Sequence, residues 1–334
     1  MSATVNVAEV GTFTKLTDRT AVLGGLPPRL NENPHLYGKL RTELDLDIGC
    51  EGYRDTRSRD SRFNSMFDYI RQTSKQGSSL KDATGADIVA NRRILVTLAQ
   101  SPYKLDPIQI QAVRKNGVVL MCDKRNDFTS CPSGFKFEQY LTLNKYGKAH
   151  DKYEKLSPEG GCSKSVLRTT ISSGNNKIKV FYAAEMDAID KTGKYVELKT
   201  TGLNHATWLE VASLRTYLQC YFANVPYIVY GRKRTPRTNI VHRVGGPVLP
   251  ASGNYLFLLQ VDKVHTSNIP RYPVKWKKEV CFDQLFHILN TIMKNLPNDD
   301  DAIILNVTKH GLTIQPELAQ NCTFLDESLL AHFE

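Results

Sequence analysis

The chain has 334 residues, of which 41% are hydrophobic and 23% charged, a globular composition with enough apolar content for a sizeable core. Its formal net charge of +10 suits a polyanionic partner, nucleic acid or a membrane surface. The cysteines Cys50, Cys122, Cys131, Cys162, Cys220, Cys281 and Cys322 are scattered, with no Cys-x-x-Cys and no Cys/His cluster. That pattern excludes a structural zinc site and suits reduced thiols in cytosol or nucleus. No apolar run approaches the ~18 residues of a membrane span, and Met1-Ser2-Ala3-Thr4-Val5 lacks the basic start and apolar run of a signal peptide. An intracellular protein of nucleus and/or cytoplasm, with no membrane partner, is expected.

The stretch to about Asp55 reads as irregular, because Gly24-Gly25-Leu26-Pro27-Pro28 breaks any regular element. Arg54, Arg57, Arg59 and Arg62 then alternate with Asp55 and Asp60, a mixed-sign run that suits a solvated face. Phe63, Met66, Phe67 and Ile70 recur at helical spacing, and Asp87 to Gln100 predicts a helix ending at Ser101-Pro102-Tyr103. Lys115-Asn116-Gly117 is a turn leading into a strand from Val118 to Cys122, and a helix carrying Glu138 begins near Cys131-Pro132. Residues 145–164 read as a surface loop. Ser165 to Ser172 and Lys177 to Ala184 bracket Ser173-Gly174-Asn175-Asn176, a hairpin turn.

The second strand of that hairpin runs into Glu185-Met186-Asp187-Ala188-Ile189-Asp190-Lys191-Thr192-Gly193-Lys194-Tyr195-Val196-Glu197-Leu198-Lys199. Glu185/Asp187 and Glu197/Lys199 each have i, i+2 spacing, which in a strand puts both side chains on one face. A two-residue loop would send Glu197 to the face opposite Asp187. A three-residue loop, Lys191-Thr192-Gly193, pairs Asp187 with Glu197 and Glu185 with Lys199, and Gly193 then stands where such loops need a left-handed residue. The odd loop is the expected one, with all four groups on one face. Apolar neighbours (Val180 to Ala184, Tyr195, Val196, Leu198) predict burial, and buried charges need partners. Three adjacent carboxylates repel one another, and a divalent cation relieves that repulsion; all-oxygen ligation favours Mg²⁺ or Mn²⁺.

Beyond Lys199, Thr207-Trp208-Leu209-Glu210 has the form of a capping box, and Val211, Leu214, Leu218, Tyr221 and Phe222 form the stripe of the helix it starts. Val225 to Tyr230 predicts a strand. Gly231-Arg232-Lys233-Arg234-Thr235-Pro236-Arg237 suits phosphate contact, a nuclear signal or an ordinary surface turn, and composition does not choose among them. Tyr255 to Val261 is a further strand, Phe282 to Leu296 an amphipathic helix stopped by Pro297, and Ala302 to Ile314 a closing hairpin. No internal repeat and no linker divides the chain. The expectation is α+β: one domain over residues 1–334, mixed β-sheets flanked by helices, with an irregular segment at about 1–20.

Asp187-x9-Glu197-x-Lys199 resembles the core signature of PD-(D/E)xK nucleases. The wider set is more specific and resembles the DXO family of decapping exoribonucleases. Arg92, within Asp87-Ile88-Val89-Ala90-Asn91-Arg92 and ten residues before Pro102-Tyr103, resembles that family's first motif. Gly134-Phe135-Lys136-Phe137-Glu138, Glu185-Met186-Asp187 and Glu197-Leu198-Lys199 resemble the motifs that follow, and Leu218-Gln219-Cys220-Tyr221-Phe222 the glutamine-bearing segment. They occur in family order from about residue 20 to the C-terminal hairpin. Asn91 stands where an aromatic is expected and Arg93 where a small residue is expected.

The resemblance implies that Glu138, Glu185, Asp187 and Glu197, with the Leu198 carbonyl as a further ligand, hold one or two divalent cations, Mg²⁺ or Mn²⁺. Lys199 and Gln219 would position water or the scissile phosphate, and Arg92 would clamp a phosphate further along. It also implies RNA 5′ ends as substrate: 5′-triphosphate, incomplete caps and NAD caps, often with 5′–3′ degradation, and for some members a partner exoribonuclease. Two other readings stand beside it. A DNA-directed PD-(D/E)xK nuclease should lack the Gly-x-x-x-Glu and glutamine segments. A non-catalytic RNA-binding or exonuclease-activating protein should lose carboxylates.

Overall fold

Strand alternation sorts the apolar residues onto three cores, and the candidate residues lie where two sheets meet. The structure, a computed structural model, describes residues 2–16, 20–53, 63–103, 108–123, 132–157, 161–234, 256–308, 311–322, 324, 328 and 330–333. The arginine-rich run 54–62, Cys131 and the end of the second basic cluster, 235–237, lie outside the described residues. In chain order come β1 (Thr4–Lys15), β2 (Ala21–Leu23), β3 (Gly38–Asp45), α1 (Asn64–Thr73), α2 (Leu80–Thr84), β4 (Ile88–Val89), α3 (Arg92–Gln100), β5 (Ile108–Lys115), β6 (Val118–Asp123) and α4 (Pro132–Leu141). Then follow β7 (Cys162–Ser173), β8 (Asn176–Glu185), β9 (Ala188–Ile189), β10 (Tyr195–Thr201), α5 (His205–Val211), α6 (Ser213–Tyr221), β11 (Tyr227–Arg234), β12 (Phe257–His265), α7 (Lys278–Asn295), β13 (Asp301–Thr308) and β14 (Gly311–Leu318).

A nine-stranded sheet runs β14-β13-β5-β6-β4-β8-β7-β1-β2, and a five-stranded sheet runs β3-β12-β11-β10-β9. Both are mixed: β4 lies parallel to β6 and β8, and β10 parallel to β11. Val119, Met121, Val180 and Tyr182 of the large sheet, Ile228 and Tyr230 of the small one, and α3, α6 and α7 share the main core. Phe63, Phe67, Leu120 and Phe181 form a second core beneath α1, on the far face of the large sheet. Phe137 and Leu141 of α4 pack with Val196, Leu198 and Val229 on the far face of the small sheet. Each strand is thus read out by its own period of two.

The chain passes from one sheet to the other within Met186 and Asp187. Glu185 ends β8 in the large sheet, where it is the register partner of Lys164. Ala188 and Ile189 already pair with Val196 and Tyr195 in the small sheet. Continued outward, that register sets Asp187 across from Glu197, as the odd loop requires. Gly193 has φ +79° and donates its N–H to the Asp190 carbonyl at 3.0 Å, and Asp190 N–H reaches the Lys194 carbonyl at 2.9 Å. Asp190 Oδ1 accepts from Thr192 N–H and Oγ1–H and from Lys194 N–H. The expected pairing of Glu185 with Lys199 does not form, because β8 leaves that ladder before it begins.

Several local expectations are corrected. The segment 1–20 is not irregular: β1 fills residues 4–15 and pairs antiparallel with β7, with a register shift between Glu9 and Gly11. Its polar, half-exposed alternation is a weak signal that the β7 edge completes. The helix expected from Asp87 begins only at Arg92, because Ile88 and Val89 are drawn into the large sheet between β6 and β8. The cap of the following helix is Asn204, whose side chain accepts from Thr207 N–H, not Thr207 itself, and the helix breaks at Ala212 into α5 and α6. Strand β5 was not anticipated.

A Cβ at Gly193 would meet nothing within 4 Å, so only its left-handed backbone constrains that position. Gly193→Ala is expected to lower stability by about 1 kcal/mol, read as a shift in urea midpoint at unchanged m value.

Candidate active site

Strand β10 alternates between two environments. Val196 and Leu198 enter the core beneath α4, while Glu197 and Lys199 face the main core. Glu197 is 1% exposed. Its Oε1 lies 2.6 Å from Lys199 Nζ, and its Oε2 lies 3.7 Å from an Nη of Arg92, the first residue of α3. That guanidinium nitrogen is buried and has no hydrogen-bond partner among the described residues. Asp187 Oδ2 accepts from Leu198 N–H at 2.7 Å, which ties the carboxylate across the mouth of the hairpin.

Electrostatics separate the two acids. Burial pushes the Glu197 carboxyl up, but Lys199 and then Arg92 outweigh it and leave the group below its ordinary range. Asp187 is pushed up to about 7, by burial first and by the Glu197 charge second, against the pull of Lys199. Burial would lower Lys199, yet Glu197 and Asp187 hold it above its ordinary value. One full negative charge and a second, half-suppressed one therefore share one ammonium and one guanidinium.

Glu185 is held differently: its Oε2 lies 3.0 Å from Lys164 Nζ, from the neighbouring strand β7. Sequence reasoning missed Lys164. The signal existed, since a two-residue Gly174-Asn175 turn counts back to place it across from Glu185. Glu138 lies on α4, half-buried. Together with Glu185 and Asp187 it lines a cavity of about 890 Å³, whose walls include Arg29, Phe135 and His150. Beside Glu138, Lys136 is fully buried, donating to Gln139 Oε1 at 2.7 Å and to the Glu154 carbonyl at 2.8 Å. That ammonium fastens α4 to the loop forming the cavity wall, a role no motif announced.

Gln219 lies at the half-buried edge of α6, next to Cys220. The Cys220 thiol is fully buried and is pushed well up, by desolvation first and the Glu197 charge second. Helix α6 therefore runs alongside the charged cluster, with Gln219 one residue away.

Among the described residues, no three acidic, histidine or cysteine side chains converge as a metal cage would require. Glu185 and Glu197 are turned instead to Lys164, Lys199 and Arg92. The donor chemistry nevertheless fits a hard divalent cation, because the oxygens that Glu138, Glu185 and Asp187 bring to the cavity are those of carboxylates.

A family model described as RAI1-like PD-(D/E)XK nuclease matches residues 8–244. The chain belongs to that family. It is 24% identical over 284 residues to the decapping nuclease dom-3 of Caenorhabditis elegans, an alignment covering 78% of this chain and 67% of that one. Among solved structures it resembles Scheffersomyces stipitis Rai1 in complex with (3′-NADP)⁺ and calcium ion, with TM-score 0.71, 16% identity and coverage of 99% of this chain and 95% of that one. Candida albicans Rai1 in complex with pU5-Mn²⁺ is similar to the same degree, with TM-score 0.70, 17% identity and coverage of 99% and 95%. The RAI1-like fold thus extends past the matched segment to the C-terminal hairpin. Among the described residues no helix is long and apolar enough to cross a membrane.

The raised Asp187 pKa has a definite sign. Between the unfolded value near 3.8 and the folded value of about 7, the metal-free native state binds more protons than the unfolded chain, so this group lowers stability as pH rises through that window. Metal-free Asp187→Asn is expected to be more stable than the parent at pH 8 and to lose that advantage below pH 4, measured by thermal unfolding in EDTA. Adding Mn²⁺ near pH 6 should release protons from the parent and fewer from the variant, read by calorimetry in buffers of different ionisation enthalpy.

Proposed function

We propose that this RAI1-like chain is a divalent-metal-dependent hydrolase of RNA 5′ ends, acting over residues 1–334 as one unit. The observation that carries the reading is the joining of Asp187, Glu197, Lys199 and Arg92 at the β8–β9 crossing, beside a cavity lined by Glu138 and Glu185. Carboxylates set beside an ammonium and a guanidinium suit metal-assisted attack on phosphorus. The net charge of +10 suits a polyanionic substrate.

Glu138, Glu185, Asp187, Glu197 and the Leu198 carbonyl are the groups that would hold Mg²⁺ or Mn²⁺, two ions in the fullest occupancy. When bound, such ions activate water and stabilise the leaving oxygen of an in-line displacement. The remaining roles belong to the chain. Lys199 and Gln219 orient the attacking water or the scissile phosphate. Arg92, whose buried nitrogen lacks a hydrogen bond, presents a planar fork to a phosphate oxygen. The cavity has room for a terminal group at the 5′ end. The substrates we assign are 5′-triphosphate RNA, incompletely capped RNA and NAD-capped RNA, with 5′–3′ exoribonuclease action on the monophosphate product. Names of the relatives support decapping, and the bound (3′-NADP)⁺ of the Scheffersomyces stipitis protein supports the NAD-cap substrate. A partner exoribonuclease and a nuclear or cytoplasmic site of action complete the reading.

The test is purified protein with Mn²⁺ and three RNAs bearing 5′-triphosphate, GpppN or NAD ends, with products separated by chromatography. Hydrolysis of at least one is expected. Asp187→Asn and Glu197→Gln should each lower kcat by about a hundredfold or more. Undiminished activity in either variant would refute the assigned chemistry, and no hydrolysis by the parent would favour a non-catalytic RNA-binding member.

A further inference from the structure

Beyond Lys199 the same face of the small sheet carries a feature that the proposed site does not use. Lys199 is the register partner of Tyr230 on β11, which pairs in turn with Asp262 on β12. Two residues on, Thr201, Arg232 and Gln260 form the next row. Residues i and i+2 of a strand share a face, so Arg232 projects from the Lys199 side, one row further from Glu197. The face opens in that direction: Lys199 to Thr201 are half-buried, as are Arg232 and Lys233, and Arg234 is exposed.

The three basic residues that end β11 differ in what they touch. Lys233 turns to the opposite face and donates to Ser133 on α4 at 3.2 Å. Arg234 pairs with Glu43 at 2.5 Å. Arg232 is left over. Its Nε is shut off from solvent with no hydrogen-bond partner, and among the described residues no carboxylate pairs with the guanidinium. Gln260, its row neighbour, is itself committed to Asp262 at 2.9 Å. A buried guanidinium N–H without an acceptor is costly, and an oxyanion is the ligand that its planar fork fits.

Aromatic rings flank the same rows. Tyr230 lies nearly parallel to two rings of α5 that also neighbour each other: Trp208 at 4.9 Å and 11° between planes, and His205 at 5.5 Å and 11°. Tyr272 meets His205 edge-on at 5.9 Å and is 38% exposed. Cations beside an exposed ring on a packed aromatic base are the ingredients of a single-strand track, where phosphates meet arginine and bases meet rings.

We propose that the face carrying Lys199 and Arg232, flanked at the Tyr230 row by His205 and Tyr272, binds the RNA strand downstream of the scissile phosphate, with Arg232 on a backbone phosphate and Tyr272 beneath a base. This rests on the 5′-end reading above and gives the downstream strand its place, while the cavity beside Glu138 takes the 5′ terminal group. Arg232 and Tyr272 touch strand rather than reacting atoms, so their effect scales with RNA length.

The experiment measures affinity for a 5′-phosphorylated RNA of about 20 nucleotides and for its first dinucleotide, by fluorescence anisotropy in EDTA over a series of salt concentrations. For Arg232→Met we expect at least fivefold weaker binding of the long RNA, a smaller loss on the dinucleotide, and a salt slope reduced by about 0.7, one single-strand phosphate contact. Arg232→Lys should keep the slope, and Tyr272→Ala should weaken long RNA at unchanged slope, with Tyr272→Phe restoring it. Each variant is checked for a parental melting temperature. Unchanged long-RNA affinity and slope in Arg232→Met, or equal losses on both RNAs, would overturn the track. An unfolded Arg232→Met would pass the decision to Tyr272→Ala: unchanged long-RNA affinity in that variant overturns the track. Arg232-dependent binding by a protein that hydrolyses no 5′ end would sink the proposed function and leave the track standing.

Discussion

Glu197 holds a carboxylate in the core, and the site is built around what makes that tolerable. An unpaired charge there would be excluded by desolvation alone, so Arg92 from the start of α3 and Lys199 from the same strand both reach it. Those contacts fix three things at once. They seat the first turn of α3, they set the orientation of Lys199, and they leave Asp187 as the acid that cannot ionise freely. The cluster is thus close to charge balance, with Asp187 as its one readily titrated member.

The crossing between the sheets explains why the acids come from separate ladders. Glu185 belongs to the large sheet and meets Lys164, while Asp187 belongs to the small sheet and meets the Leu198 N–H. Two residues of chain thus link the two sheets, and the carboxylates sit at that crossing. Helix α4 brings Glu138 to the same cavity from the far face of the small sheet, anchored by the buried Lys136. A site assembled from both sheets and α4 is held by packing on every side, which suits chemistry that depends on placement.

Much of this was legible in order along the chain, and the exceptions share a cause. The odd loop with Gly193, the Asp187–Glu197 register, the β7–β8 turn and the amphipathic helices follow from local spacing and turn chemistry. Strand β1 was invisible because its alternation is half-exposed and completed only by β7. Ile88 and Val89 look helical next to Arg92, yet they insert between strands brought from residues 118 and 180 onward. Gln219 and Glu138 carried no local sign of their position, and their selection rested on family order of motifs.

What the amino-acid sequence determined alone was the class of chemistry: the spacing of carboxylates and lysine, the residue types, and the membership of an RAI1-like nuclease family. Spacing is local, and period-two strands convert it directly into a shared face. What only the tertiary structure decided was which cation stands against which carboxylate. Lys164 meets Glu185, Arg92 meets Glu197, and Arg232 Nε has no hydrogen-bond partner among the described residues. Those pairings join elements far apart in the chain, and pairing across a sheet or between sheet and helix is set by register and packing, which no local pattern encodes.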